Sequence, residues 1–336
     1  MSRMDKIIAM GNALVDVLGH IGDDNALNEM GLPKGSMQLI DERRFEVVSA
    51  RIDAFNPSRA TGGSAANSAL ALAHLGREAG FIGKVGGDEF GRFYTDTLMA
   101  AGVRPYFSHT AMPTGVASTF ISPDGQRTFA TFLGAAATLG PDDIGPEMLQ
   151  GYKYLYLEGY LVQNHALVER AVEIAKSLDM KICLDMASYN IVEADRDFFT
   201  RLVNDSIDIV FANEEESRAF TGLAPEQSLN AIVAHCDTVI VKLGAEGSIA
   251  RSRSVCGGGS ARCKAGKVAK VVDTTAAGDF FTAGFMYALT AGCPLETCLQ
   301  AGTLLSTEVI QVTGTALPEA TWQKLRTEIA NICNPQ

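Results

Sequence analysis

The stretch 154–212 reads YLYLEGYLVQNHALVERAVEIAKSLDMKICLDMASYNIVEADRDFFTRLVNDSIDIVFA. Residues 154–157, 181–185 and 209–212 are short apolar runs of strand length, and the segments between them, 166–178 and 197–204, are helical in character. Residues 215–221 and 238–242 extend the alternation by one more helix and one more strand. Strands that alternate with helices fold as right-handed crossover units. The pattern therefore predicts an α/β fold with a central, mainly parallel sheet flanked by helices on both faces.

Towards the N-terminus the texture is more varied. Residues 6–10 form an apolar run closed by Gly11-Asn12, which suits a buried strand ending in a turn. Residues 15–21, 35–40 and 79–85 are further strands. Residues 24–30, 42–52 and 88–101 read as helices, and the alanine-rich helix 65–75 is stopped by Gly76. His74 reads as a surface residue of that helix. Two β-rich runs, 115–121 and 126–132, flank Ser122-Pro123-Asp124-Gly125, a strong hairpin signal. These runs break the alternation and predict a small β-rich lid over the carboxyl edge of the sheet. Segments 14–61 and 113–134 are assigned to the lid, and 1–13, 62–112 and 135–336 to the α/β core.

Composition narrows the partners. The formal charge of −11 repels nucleic acid and anionic membranes unless a basic patch offsets it. The densest cationic stretch, 251–270, is interrupted by glycines. No run approaches ~18 uninterrupted apolar residues, and MSRMDKIIAM has neither a long apolar segment nor a cleavage site. A cytoplasmic location is expected, with no nucleic acid or membrane partner. The 7 cysteines, odd in number and without CxxC pairing, read as reduced thiols. Cys256 and Cys263 are near neighbours, but no second pair or histidine stands at ligand spacing.

The chemistry concentrates in 270–289, KVVDTTAAGDFFTAGFMYAL. A β-rich run, 268–273, ends at Asp273; small turn residues follow, and Asp279 opens an apolar helix. Backbone amides of Ala276, Ala277 and Gly278 would then converge at a helix N-terminus, which binds anions without any basic side chain. Asp279 would accept the proton of an attacking hydroxyl while the amides stabilise charge on a transferring phosphoryl group. The plainer alternative is an Asp279 that only caps the helix and alanines that only pack.

DTTAAGD resembles the DTxGAGD signature of the ribokinase-like, or PfkB, family of carbohydrate and nucleoside kinases. Other segments resemble that family's motifs in its order: Gly62-Gly63-Ser64-Ala65-Ala66-Asn67, then 83–91 (GKVGGDEFG), then Asn213-Glu214-Glu215-Glu216, then Lys242-Leu243-Gly244-Ala245-Glu246-Gly247. The resemblance covers nearly the whole chain. It implies a ribokinase-like fold and an ATP-dependent phosphotransferase acting on a primary hydroxyl of a sugar or nucleoside. Asp279 would be the catalytic base, with Ala276, Ala277 and Gly278 forming the anion hole. Asn213 and Glu216 would organise Mg2+ and phosphate through water. Lys242, Gly244 and Gly247 would lie along the nucleotide. Asp273 and Thr275 would border a monovalent-cation (K+) site that many relatives have. Asn12 and Asp16 would hold acceptor hydroxyls, Gly62 and Gly63 would allow its close approach, and Asn67 would hydrogen-bond it.

Two departures stand out. Ala276 occupies a usual glycine position, where a positive φ would strain it. Lys242 occupies a position that is often threonine, where a lysine is able to pair with phosphate. Gly11-Asn12-Ala13-Leu14-Val15-Asp16 and GGSAAN resemble the adenosine-kinase-like branch, so adenosine is the favoured acceptor. Phe120, Phe129 and Phe132 stack on its purine or pack the lid core. Arg127 reaches an anionic substrate group or simply faces solvent. The alternatives are a kinase for a free sugar such as ribose, fructose or 2-keto-3-deoxygluconate, and an inactive kinase-fold binding module. A monomer or a homodimer is expected. The G-x-G-x-x-G of dinucleotide-binding domains is absent after the first strand, and so is a Walker A loop.

Overall fold

The computed structural model describes residues 5–254 and 257–333. In chain order its strands begin with β1 (Ile7–Met10), β2 (Leu14–His20), β3 (Met37–Leu39), β4 (Ser58–Gly62), β5 (Ala79–Gly86), β6 (Val103–Thr110) and β7 (Gly115–Ile121). They continue with β8 (Arg127–Phe132), β9 (Tyr154–Glu158), β10 (Lys181–Asp185), β11 (Ile209–Asn213), β12 (Thr238–Lys242), β13 (Ser248–Ser252) and β14 (Gly259–Cys263).

Nine of them form the central sheet, in the order β14-β13-β12-β11-β10-β9-β1-β5-β6. From β12 to β6 every pairing is parallel, and the hairpin β13–β14 adds two antiparallel strands at one edge. The apolar runs of the sequence follow from burial on both faces. Along β1, Ile7 and Ala9 pack into one hydrophobic layer while Ile8 and Met10 pack into the other. The helices Ser64–His74, Ala277–Thr290 and Leu295–Val309 cover the first face; His165–Ser177, Arg196–Asp205 and Pro225–Val233 cover the second.

A second sheet, in the order β3-β8-β7-β2-β4, forms the lid. The antiparallel β7–β8 hairpin closes through Gly125, whose φ is +83°, with the Ser122 amide bonded to the Gln126 carbonyl at 2.9 Å. Short links tie the lid to the core. Only Gly11-Asn12-Ala13 separate β1 from β2, and Gly63 alone separates β4 from the helix Ser64–His74.

Two expectations need correction, and one pair of alternatives is decided. Residues 268–273 are not a strand: Val271 and Val272 are exposed, and the Val272 and Asp273 amides bond to the Ile310 carbonyl beyond the helix Leu295–Val309 instead of to a sheet edge. His74 is half-buried and stacked on Trp322, with ring centroids 4.7 Å apart. Phe120 and Phe132 are buried in the lid core, Phe132 stacking on Phe45, and neither lines a substrate cavity. Cys256 lies outside the described residues. Among those residues no helix is long and apolar enough to cross a membrane.

Candidate active site

Strand ends supply most polar groups of the site. Asn12 follows β1, while β9, β10, β11 and β12 end at Glu158, Asp185, Asn213 and Lys242. The register sets Asp185 beside Glu158 and Lys242 beside Asn213. Open parallel sheets bind ligands at these carboxyl ends, where the strand order reverses. That point here is β1, which lies between β5 and β9.

Asp279 stands in the first turn of the helix Ala277–Thr290 and faces the first turn of the helix Ser64–His74. Ser64 Oγ donates to its Oδ1 at 2.6 Å, and Asn67 Nδ2 to its Oδ2 at 2.9 Å. Burial raises its pKa to about 6 from an ordinary 3.8, against the pull of those two hydrogen bonds. Such a carboxylate is ionised at neutral pH yet basic enough to take a proton from an alcohol. Asn67, expected to bond the acceptor, instead spends its amide nitrogen on Asp279, and its buried Oδ1 has no protein partner.

The turn before this helix departs from the expected three-amide cup. The Ala277 amide is occupied, donating to the Thr274 carbonyl at 3.2 Å. The amides of Ala276 and Gly278 make no hydrogen bond among the described residues, so two donors are open to an anion. Ala276 has φ 60° and ψ 7°, the left-handed region that glycine enters freely.

The candidate K+ ligands hold a guanidinium. Arg127, on β8, places Nη2 2.7 Å from Asp273 Oδ2 and donates from Nη1 to Thr275 Oγ1 at 3.2 Å. Asp273 is 6% exposed and also accepts from the amides of Thr275 and Gly314. Arg127 is therefore neither solvent-facing nor free for a substrate anion.

Two cavities meet at Ser64 and Tyr160, which line both. The first, of about 630 Å³, has Asn12, Gly63, Ser64 and Glu158 among its lining residues and an apolar wall that includes Leu14, Met37, Leu39, Leu133 and Leu161. Glycine is required at its inner end: a Cβ at Gly63, whose φ is +90°, would collide with the Asn12 carbonyl. The Asp16 carboxylate occupies the space a Gly62 side chain would need; burial first, then nearby Asp279, raises its pKa to about 7.

The second cavity, of about 560 Å³, is lined by Asp185, Asn213, Glu216, Lys242, Gly244, Gly278 and Asp279, among others. Asn213 and Glu216 lock together reciprocally, each amide bonding the other's side chain at 2.7–2.8 Å and Asn213 Nδ2 reaching Glu216 Oε1 at 2.7 Å. Glu216 is buried, and burial raises its pKa to about 7 although Lys242 opposes the shift. Gly247 lies apart from this lining: with φ +98° it serves the β12–β13 turn, its Cβ position blocked by the Cys263 carbonyl.

Glu158 and Asp185 were missed in the sequence. Glu158, 2% exposed, accepts from Asn12 Nδ2 at 2.9 Å and the Ala65 amide at 3.0 Å, and burial lifts its pKa to about 7. Asp185 accepts from the Ala187 amide and from Lys242 Nζ at 3.0 Å. Their one signal was a carboxylate ending an otherwise apolar strand.

Two adjoining cavities, one of them lined by the basic carboxylate of Asp279, suit an ATP-dependent sugar or nucleoside kinase, the class that the family match gives. The chain belongs to the pfkB family of carbohydrate kinases, whose profile matches residues 37–322. It is similar to 5-dehydro-2-deoxygluconokinase of Bacillus subtilis (strain 168), with 31% identity over 75% of this chain and 81% of that one. It also resembles the solved structures of a probable sugar kinase from Rhizobium etli CFN 42 and of adenosine kinase from Sinorhizobium meliloti. Each is 31% identical with a TM-score of 0.85; they cover 98% and 97% of this chain respectively, and the match spans 100% of each of theirs.

Proposed function

We propose that the chain transfers the γ-phosphoryl group of ATP to the primary hydroxyl of a neutral nucleoside, adenosine being the favoured acceptor, with ADP and AMP as products. The observation that carries this is a cavity lined by both polar and aliphatic side chains, with no lysine or arginine among the described residues of its lining. Asn12, Ser64 and Glu158 suit a sugar's hydroxyls, and the aliphatic part of the lining suits a base. A free sugar would leave that wall unfilled. No lysine or arginine is among the described residues lining the cavity, and its one histidine, His165, is paired with Asp195, so the carboxylate of an acidic acceptor such as a gluconic acid derivative would meet no lysine or arginine there.

In the transfer, the acceptor oxygen bonds to the γ-phosphorus as the bond to the β-bridging oxygen breaks. The hydroxyl proton passes to Asp279, and the Ala276 and Gly278 amides take up charge on the equatorial oxygens. Asn213 and Glu216 hold the phosphate end. Among the described residues no three acidic, histidine or cysteine side chains converge as metal ligands. This fits Mg2+, which keeps several waters and binds through one or two carboxylates plus phosphates. Bound through water near Glu216, it would neutralise the nucleotide's charge.

An ADP-release assay offering adenosine, other nucleosides, ribose, fructose and 2-keto-3-deoxygluconate tests the acceptor. Adenosine is expected to give the largest kcat/KM, and a preference for any free sugar refutes the nucleoside reading. Asp279→Asn is expected to lower kcat about 10^3-fold or more while nucleotide binding, followed by calorimetry, persists.

A further inference from the structure

We propose that Lys242 is a catalytic cation for phosphoryl transfer, held in reserve on Asp185 until the terminal phosphoryl group of the nucleotide draws it across to the Gly278 amide. This rests on the kinase reading of the site and assigns a role that Mg2+, Asp279 and the amides leave open.

Charge balance is the first ground. Among the described residues lining the nucleotide cavity Lys242 is the single cation, sharing the lining with Asp185, Glu214, Glu215, Glu216 and Asp279. A triphosphate entering that ring meets repulsion that a mobile ammonium relieves. Position is the second. A Cβ built on Gly278 would lie 3.1 Å from Lys242 Nζ, so the ammonium, although bonded to Asp185, stands beside Gly278 with no side chain between them. The absence of a Gly278 side chain keeps that space open. Charge state is the third: burial pushes the Lys242 pKa down, but Asp185 and Glu216 outweigh it and the net shift is upward, so the amine enters the reaction protonated.

Asp185 is built to hold the reserve position. Its Oδ1 is fixed by the Ala187 amide at 2.8 Å, and Ala187 has φ +62°, a strained conformation for alanine. Its Oδ2 alone is left for the ammonium at 3.0 Å. One monodentate contact on a flexible stem is readily exchanged for phosphate oxygens. A threonine at this position would have neither the reach nor the charge.

The test separates a catalytic cation from a mere counter-charge for Asp185. Lys242→Met should reduce kcat about 10^2-fold, and Lys242→Arg should recover part of that loss. The double variant Lys242→Met/Asp185→Asn decides: it stays as slow as Lys242→Met if the ammonium acts on the phosphoryl group. Return of the double variant to within about threefold of wild-type turnover would overturn the proposal. Calorimetry supplies a readout that does not need turnover, with a non-hydrolysable Mg·ATP analogue compared with Mg·ADP. Wild type should prefer the triphosphate and Lys242→Met should lose that preference; unchanged discrimination sinks the proposal. If wild type phosphorylates no acceptor, the kinase reading fails by itself, and the titration still judges Lys242.

Discussion

Ala276 shows how one side chain marks a functional turn. Its backbone is left-handed, and the amides of Ala276 and Gly278 make no hydrogen bond among the described residues at the head of the helix Ala277–Thr290. The cost of a Cβ there is roughly 1–2 kcal/mol, partly offset because glycine would gain more freedom on unfolding. Ala276→Gly should therefore raise stability by about 0.5–1 kcal/mol, read as a higher urea midpoint at unchanged m-value, with catalysis retained. The DTTAAGD segment made this position legible, since small residues before an aspartate at a helix start have few purposes. Glu158 and Asp185 were not legible. A single acid closing an apolar strand looks like the start of a loop, and only the parallel register of β9 and β10 brings the two side by side.

Among the elements, the β7–β8 hairpin announced itself through Asp124-Gly125, whereas β4 did not. Its SRATG sequence has no apolar alternation because it is an edge strand, with the Ser58 and Arg59 side chains exposed. Residues 268–273 failed in the opposite direction: β-branched residues without a neighbouring strand stay irregular, because propensity gives way to the available hydrogen-bond partners. Strand β8 carries a further consequence. Arg127 is the cation beside buried Asp273, and Arg127→Ala leaves that carboxylate with two amide donors but no counter-charge. The substitution should cost about 3 kcal/mol, measured by equilibrium unfolding. Arg127→Lys should recover only part, because an ammonium cannot span Asp273 and Thr275 together.

For the whole molecule, the alternation quoted at 154–212 was sufficient for the central sheet, since each apolar run is buried on both faces. The lid's attachment was not readable, because it depends on pairings between β2 and both β4 and β7. The molecule also concentrates carboxyl groups whose pKa values burial has raised: Asp16, Glu158 and Glu216 to about 7, and Asp279 to about 6. Between pH ~4 and ~7 the folded chain thus binds more protons than the unfolded one, so these groups favour folding at low pH and oppose it as pH rises through that window. Their contribution should make the ligand-free melting temperature higher near pH 5.5 than near pH 8. Turnover should run the other way, falling as pH drops below about 6 and Asp279 takes up its proton, which a kcat/KM profile would record. The short links at Gly11–Ala13 and Gly63 have a final implication. Asn12 and Gly63 both line the first cavity and both lie in the links that join the second sheet to the central one. If an acceptor in that cavity draws the two sheets together through these links, it also holds Ser64, next along the chain, against Asp279 during turnover. Idle ATP breakdown should consequently be slow without an acceptor, and a nucleoside lacking its 5′-hydroxyl should quicken it by filling that cavity while leaving water as the nucleophile.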